Sequence, residues 1–154
     1  VQLVPDVQPF ELAKLRMLNG AHSTLAYLGL AAGKEYVHEA VADPALRTIV
    51  ERLLRHEAAA TLPDIPGFDA NDYADALLTR FANSALEHKL IQIAMDGSQK
   101  LPQRLLGTIG DLLARGASAD AALCGLAGWI VHASGRQVDD PLADRMAEVN
   151  RAAG

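Results

Sequence analysis

FELAKLRMLNGAHSTLAYLGLAAG, running from Phe10 to Gly33, is the stretch that decides the fold. Leu, Ala and Met fill it, and these residues favour helix. Pro9 stands just ahead, where a helix start tolerates a missing N–H. Met17, Leu18, Ala21, Leu25 and Leu28 recur at separations of three and four, the period of one buried helical face. The Asn19-Gly20 pair offers a break, yet the apolar spacing continues past it, so one long helix is expected. At about 100° per residue counted from Lys14, Leu18 and Leu25 lie within about 40° on one side, and Ala21, Leu28 and Met17 within about 60° on the other. Lys14 therefore points along the apolar stripe. His22 falls at about 80° and Asn19 at about 140°, with Arg16, Ser23 and Tyr27 on the opposite side.

A lysine on an apolar stripe has two readings. Its stem can lie on the core with the ammonium in water, paired with nearby Glu11. Alternatively, Lys14, Asn19 and His22 line one pocket. An amine partly withdrawn from water is suited to proton transfer. Asn19 and His22 would then be neutral donors aimed at an oxygen gaining negative charge. The spacing permits both, and His22 taken alone also reads as an ordinary surface or core histidine.

Outward from this helix the pattern stays helical. A short helix is expected over residues 35–42. Asp43-Pro44 reads as a cap and first helical position for a helix to about residue 60. Two prolines and a glycine make 61–68 a loop. Asp69 caps a helix to about residue 81, another spans about 84–96, Asp96-Gly97-Ser98 stops it, and a further one covers 99–115. Ser118 is expected to cap a helix to about residue 133, and Asp140-Pro141 to open a last one to about residue 150. Pro5 marks a turn in an irregular opening. No strand of useful length and no repeat is visible. An all-α domain of seven or eight helices follows.

The totals agree. The 154 residues suit one compact domain, and half of them are hydrophobic with only 5% aromatic, so Leu, Ala, Ile and Val must build the core. A net charge of −5 and no basic cluster speak against nucleic acid. Charges interrupt every apolar run, so neither a membrane span nor a signal peptide is expected. Cys124, the single cysteine, is expected to be a small buried hydrophobe in a reduced, cytoplasmic setting. The opening Val-Gln-Leu-Val-Pro, without methionine, reads as cut from something longer.

A second landmark is Asp96-Gly-Ser-Gln-Lys100-Leu-Pro-Gln-Arg104, with Arg80-Phe-Ala-Asn83 upstream. It is either an ordinary turn with solvated Lys100 and Arg104, or a turn offering N–H groups to an anion or hydroxyl.

The run Phe10-Glu-Leu-Ala-Lys14-Leu-Arg-Met-Leu-Asn19-Gly-Ala-His22-Ser resembles the lysine, asparagine, histidine signature of the polyol-specific long-chain dehydrogenases, the mannitol dehydrogenase and fructuronate reductase relatives, with the same spacing. The resemblance implies that Lys14 is the general base for alcohol oxidation, that Asn19 and His22 hold and polarise the reacting oxygen, and that no catalytic metal takes part. Asp96-Gly-Ser-Gln-Lys100 resembles the family's Asp-Gly-Ser-x-Lys motif, which makes Lys100 a substrate contact. Eight residues before it, mannitol-type members carry a substrate-binding arginine where this chain has Gln92. Glutamine hydrogen-bonds but carries no charge, which argues against mannitol as the default substrate. Arg104 is another cation, without an assigned place.

The resemblance covers nearly the whole chain and is strongest over residues 9–33 and 80–106. It implies an all-α fold like the C-terminal domain of mannitol dehydrogenase, with a Rossmann-type domain ahead of it that is absent from this chain. That domain would carry NAD or NADP, so no cofactor is expected on this chain and no turnover by it alone. Gly29 and Gly33 lack the dinucleotide-loop spacing and are expected to allow close helix packing. The implied reaction interconverts a polyol or sugar acid and its keto form. The rival reading is a non-catalytic helical interaction or dimerisation domain.

Overall fold

The computed structural model describes residues 7–135 and 138–154, and most of the irregular opening expected over residues 1–8, Pro5 included, lies outside them. The described residues form eight helical stretches. Helix α1 (residues 8–31) is continuous but has three parts, Gln8–Ala13, a π-helical turn Lys14–Asn19, and Gly20–Ala31. Helix α2 is Val37–Ala42. Helix α3 (residues 44–61) joins Pro44–Arg52, a second π turn Leu53–Ala58, and a 3₁₀ turn Ala59–Thr61. Ala70–Phe81 is α4 and Leu90–Ala94 is α5. Helix α6 (residues 97–114) holds Gly97–Leu101, a third π turn Pro102–Leu106, and Gly107–Ala114. Asp120–Ala133 is α7 and Ala143–Ala153 is α8. The all-α expectation holds among these residues, which contain only an isolated antiparallel bridge between Tyr36 and Lys89.

Local chemistry accounts for several boundaries. The Asp43 carboxylate accepts the N–H groups of Ala45 and Leu46 at 3.0 and 3.4 Å, and Asp69 accepts those of Asn71 and Asp72 at 2.7 and 3.0 Å. Both are the caps expected. The helix expected over 84–96 shrinks to Leu90–Ala94. Asn83 Oδ1 takes the Ala85 N–H at 3.0 Å, a local turn that competes with helix. His88 O and Leu90 N are then drawn to Val37 N (3.0 Å) and Glu35 O (2.9 Å). Helix α6 begins at Gly97 rather than residue 99. Pro102, with no N–H to give, stands where the third π turn starts.

Two expected caps are corrected. The hydroxyl of Ser118 accepts from Arg52 at 2.9 Å and caps nothing. The first N–H groups of α7, on Ala121 and Ala122, go to the Glu57 carboxylate in the π turn of α3, at 2.9 and 2.8 Å. Asp140 does not open α8, which starts at Ala143. Its carboxylate takes the Leu142 N–H just ahead of that helix and also reaches back to Ser98 of α6.

The second half of α1 runs through the centre and packs against α2, α5 and α7. Ala21, Leu25 and Ala26 are fully buried, and so are Ser23 and Tyr27, which the sequence put on an opposite side. A helix buried all round has no outer face to show. Arg16, also assigned to that side, pairs with Asp111 at 2.6 Å. Helix α7 meets α1 through Gly125 and Gly128, and Ala121 and Ala122 are buried on the same helix. This turns Leu123, Ile130 and Val131 outward at 41, 52 and 66% exposure. Cys124 is exposed with them, contrary to expectation, because the side of the helix that carries Gly125 and Gly128 faces the core. Gly29 does allow close packing, since a Cβ there would meet Leu90 at 2.7 Å. Gly33 does not. It sits in open space at φ +73° and serves to end the helix.

Candidate active site

The π turn of α1 changes the register of the three residues singled out first. Gly20 N–H donates to Leu15 O, five residues back, so one turn holds an extra residue. Positions after the turn are therefore rotated back by about 100° relative to Lys14. Asn19 moves from about 140° to about 40°, and His22 from about 80° to about −20°. On that geometry Lys14, Asn19 and His22 share one side of α1. The apolar stripe rotates away from Lys14 by the same step, which is why Lys14 is exposed and not aligned with the core as the uniform wheel had it. Glu11 and Lys14 form no ion pair with each other among the described contacts.

Asn19 and His22 are half-buried. The His22 ring lies 4.8 Å from Phe81 and 6.2 Å from His88, centroid to centroid. Burial lowers its pKa to about 4, helped by the positive fields of His88, Arg80 and Arg104. At neutral pH His22 is thus an uncharged imidazole with one N–H to donate and one nitrogen to accept. Arg104 lies within this group, its Nη1 donating to Ser23 Oγ at 3.2 Å. Burial lowers the Arg104 pKa as well. Gly20 allows the approach, because a Cβ there would stand 2.8 Å from the Arg104 carbonyl oxygen.

The Asp96-Gly97-Ser98 turn is clamped on three sides. Asp96 adopts the left-handed conformation at φ 56°, and its N–H donates to Asp139 O at 3.0 Å. At Gly97 a Cβ would fall 2.3 Å from Trp129 Nε1 and 2.5 Å from the Tyr27 hydroxyl. Tyr27 is itself anchored, donating to Ala94 O at 3.1 Å, and burial pushes its pKa up to about 12. Ser98 gives its N–H and hydroxyl to the two carboxylate oxygens of Asp140, at 2.7 and 2.5 Å, and Leu142 N–H adds a third bond at 2.9 Å. The Ser98 N–H is accordingly not on offer to an anion. Lys100, one turn on, is half-buried and folds back so that Nζ donates to Met95 O at 2.6 Å. Gln92 is exposed on α5. It lines an open cavity of about 600 Å³ with Ile91, Met95, His132, Val138 and Asp139, a lining that includes none of Lys14, Asn19 and His22.

Sequence reasoning missed His88, which it assigned to a helix, and could not place Arg104. The Arg80-Phe81 step was noted without its partner, although Phe81 is the ring on which His22 rests. No group of three or more His, Cys, Asp and Glu side chains among the described residues is arranged to hold a metal ion. Nor do these residues contain a strand leading into a glycine-rich turn and helix, the element that cradles a dinucleotide pyrophosphate.

In fold this is an all-α domain of the mannitol dehydrogenase C-terminal type. The chain belongs to the mannitol dehydrogenase C-terminal domain family, whose model matches residues 6–154. It is 46% identical to the D-mannonate oxidoreductase of Escherichia coli over 97% of this chain and 32% of that protein. Mannitol dehydrogenase 2 of Saccharomyces cerevisiae is 38% identical over 93% of this chain and 30% of its own. Among solved structures it matches the ternary complex of Pseudomonas fluorescens mannitol 2-dehydrogenase with NAD and D-mannitol, at TM-score 0.91 and 32% identity, covering 97% of this chain and 32% of that one. The chain thus spans about a third of the length of these relatives. No helix among the described residues is long and apolar enough to cross a membrane.

Proposed function

We propose that this chain is the substrate-binding and proton-transfer domain of an oxidoreductase that interconverts a polyol or sugar acid and its keto form. The π turn of α1 supports the reading, because an extra residue in that turn brings Lys14, Asn19 and His22 to one side of an ideal helix, with His22 kept uncharged at pH 7 mainly by burial. In oxidation Lys14, as the free amine, accepts the proton of the substrate hydroxyl. Asn19 and His22 donate hydrogen bonds to the same oxygen, where negative charge builds as its proton leaves. In reduction Lys14 returns the proton. The hydride acceptor is NAD or NADP, carried by a Rossmann-type domain of the same polypeptide, which also supplies the cover that exposed Lys14 lacks in this chain. Lys100 and Gln92 contact substrate hydroxyls, Lys100 after releasing the Met95 carbonyl.

The test is Lys14→Ala in the polypeptide that carries both domains. The expected loss is about 10²- to 10⁴-fold in kcat, with an unchanged circular dichroism spectrum and partial rescue by small amines. Near wild-type kcat with the same pH profile removes Lys14 as the base. That outcome favours the second reading, a helical interaction or dimerisation domain, to which the outward row of Leu123, Ile130 and Val131 lends support.

A further inference from the structure

We propose that Arg80, His88 and Arg104 form an anion subsite beside His22 that takes the carboxylate of a sugar acid. The inference rests on the proposed function, since it concerns the other end of the molecule whose hydroxyl Lys14 and His22 hold. Three separate pieces of chain converge on one imidazole. Helix α4 ends in Arg80 and in Phe81, whose ring is 4.8 Å from His22. The segment ahead of α5 brings the His88 ring to 6.2 Å. Helix α6 sends Arg104 to the hydroxyl of Ser23, the next residue of α1, at 3.2 Å.

Carboxylates are plentiful in this protein, with 19 Asp and Glu against 14 Lys and Arg, and several cations have them as partners. Arg16, Arg47, Arg52, Arg55, Lys34 and Lys89 all have acidic partners within 4 Å. Exposed Arg80 has none among the described residues, nor has Arg104, which unlike Arg80 is half-buried and whose described partner is a neutral hydroxyl. A guanidinium withdrawn from water without a counter-charge is costly, and a visiting anion removes that cost. Guanidinium groups suit the task, since their donors match the two oxygens of a carboxylate. A neutral polyol offers nothing that discharges the pair. His22, with its own charge suppressed first by burial and then by the same neighbours, keeps its N–H for the reacting oxygen and leaves the carboxylate to the arginines.

The test needs no turnover. Imidazole signals of His22 and His88 are followed by two-dimensional NMR in the 154-residue chain during titration with D-gluconate, with D-sorbitol, which replaces the carboxylate by a hydroxymethyl group, and with acetate. Gluconate is expected to shift both rings saturably, and to bind more tightly than sorbitol or acetate by about tenfold or more. R80Q and R104Q should each weaken gluconate about 10- to 100-fold, while R80K retains part of the affinity, which separates loss of charge from loss of fold. Equal binding of sorbitol, equal binding of acetate, the absence of a saturable gluconate shift, or unchanged affinity in R80Q and R104Q each overturns the subsite. Gluconate binding that persists although Lys14→Ala leaves turnover untouched would sink the dehydrogenase reading and leave the subsite standing.

Discussion

At His22 one side chain carries both a functional and a thermodynamic consequence. Burial against Phe81 and the surrounding positive charge take its pKa from 6.5 to about 4. The folded chain therefore binds fewer protons there than the unfolded chain between those two values, and its stability must fall as pH drops through that window. The displacement sets a ceiling of about 3 kcal/mol for the contribution. His132 is shifted in the same direction, mainly by burial, and adds to the same slope. Asp140, held below the ordinary carboxylate range by its bonds from Ser98 and Leu142 despite the opposing effect of burial, acts only at still lower pH. Urea denaturation of wild type and His22→Gln between pH 7 and 4 should show a shallower decline in the variant, and parallel declines would mean that His22 is not the neutral imidazole described. The chemistry of these residues was legible in the sequence as residue types at a spacing, but their orientation was not. A uniform 100° wheel cannot contain an extra residue in one turn, so it put Lys14 on the core side, and it cannot show that the helix beyond the turn is buried on every side, Ser23 and Tyr27 included.

Helices in this domain are closed by two kinds of cap, and the difference explains what sequence could reveal about the elements. Asp43 and Asp69 cap the turn that immediately follows them, a relation written into neighbouring positions. Glu57 caps α7 from 64 residues away, and Asp140 fixes the start of α6 from 42 residues away, so no local pattern betrays either. Ser118 looked like the cap of α7 because it has the right chemistry two residues ahead of the helix. The structure ranks the two candidates differently. Glu57 is 1% exposed, accepts two backbone N–H groups and pairs with Arg52 at 3.2 Å. Glu57→Ala strands those N–H groups in the interior and should cost about 2–4 kcal/mol. Ser118→Ala removes one exposed hydroxyl and should stay within about 0.5 kcal/mol. Urea midpoints at constant m-value decide between them, and similar losses in the two variants would return the cap to Ser118.

Across the whole molecule, the central α1 and the three π turns set what is inside and what is left uncovered. The first and third π turns meet directly, with Gly20 against the Arg104 backbone, and the Lys14–Asn19 turn also packs on the Leu53–Ala58 turn of α3. The all-α class was readable because every long segment repeats at helical period. The packing direction of α7 was not, because its glycines face in while Leu123, Ile130 and Val131 face out, against the usual hydrophobic-inside rule. Small residues win at that contact because Thr24, Tyr27 and Leu28 of α1 come too close for more, a Cβ at Gly125 or Gly128 falling 2.5 or 2.9 Å from them. The consequence is an apolar row of Leu123, Ile130 and Val131 on the surface, with Leu113 of α6 another exposed leucine at 59%. In isolation such a surface drives association in proportion to the apolar area it hides, so the chain should show a mass that rises with concentration in sedimentation or light scattering. Ile130→Lys with Val131→Lys should abolish that rise. Both side chains are already more than half in water, so the double variant should unfold within about 0.5 kcal/mol of wild type per substitution. A large loss of stability would instead mean that this face is covered within the fold, and a concentration-dependent mass that survives both lysines would place the associating surface elsewhere.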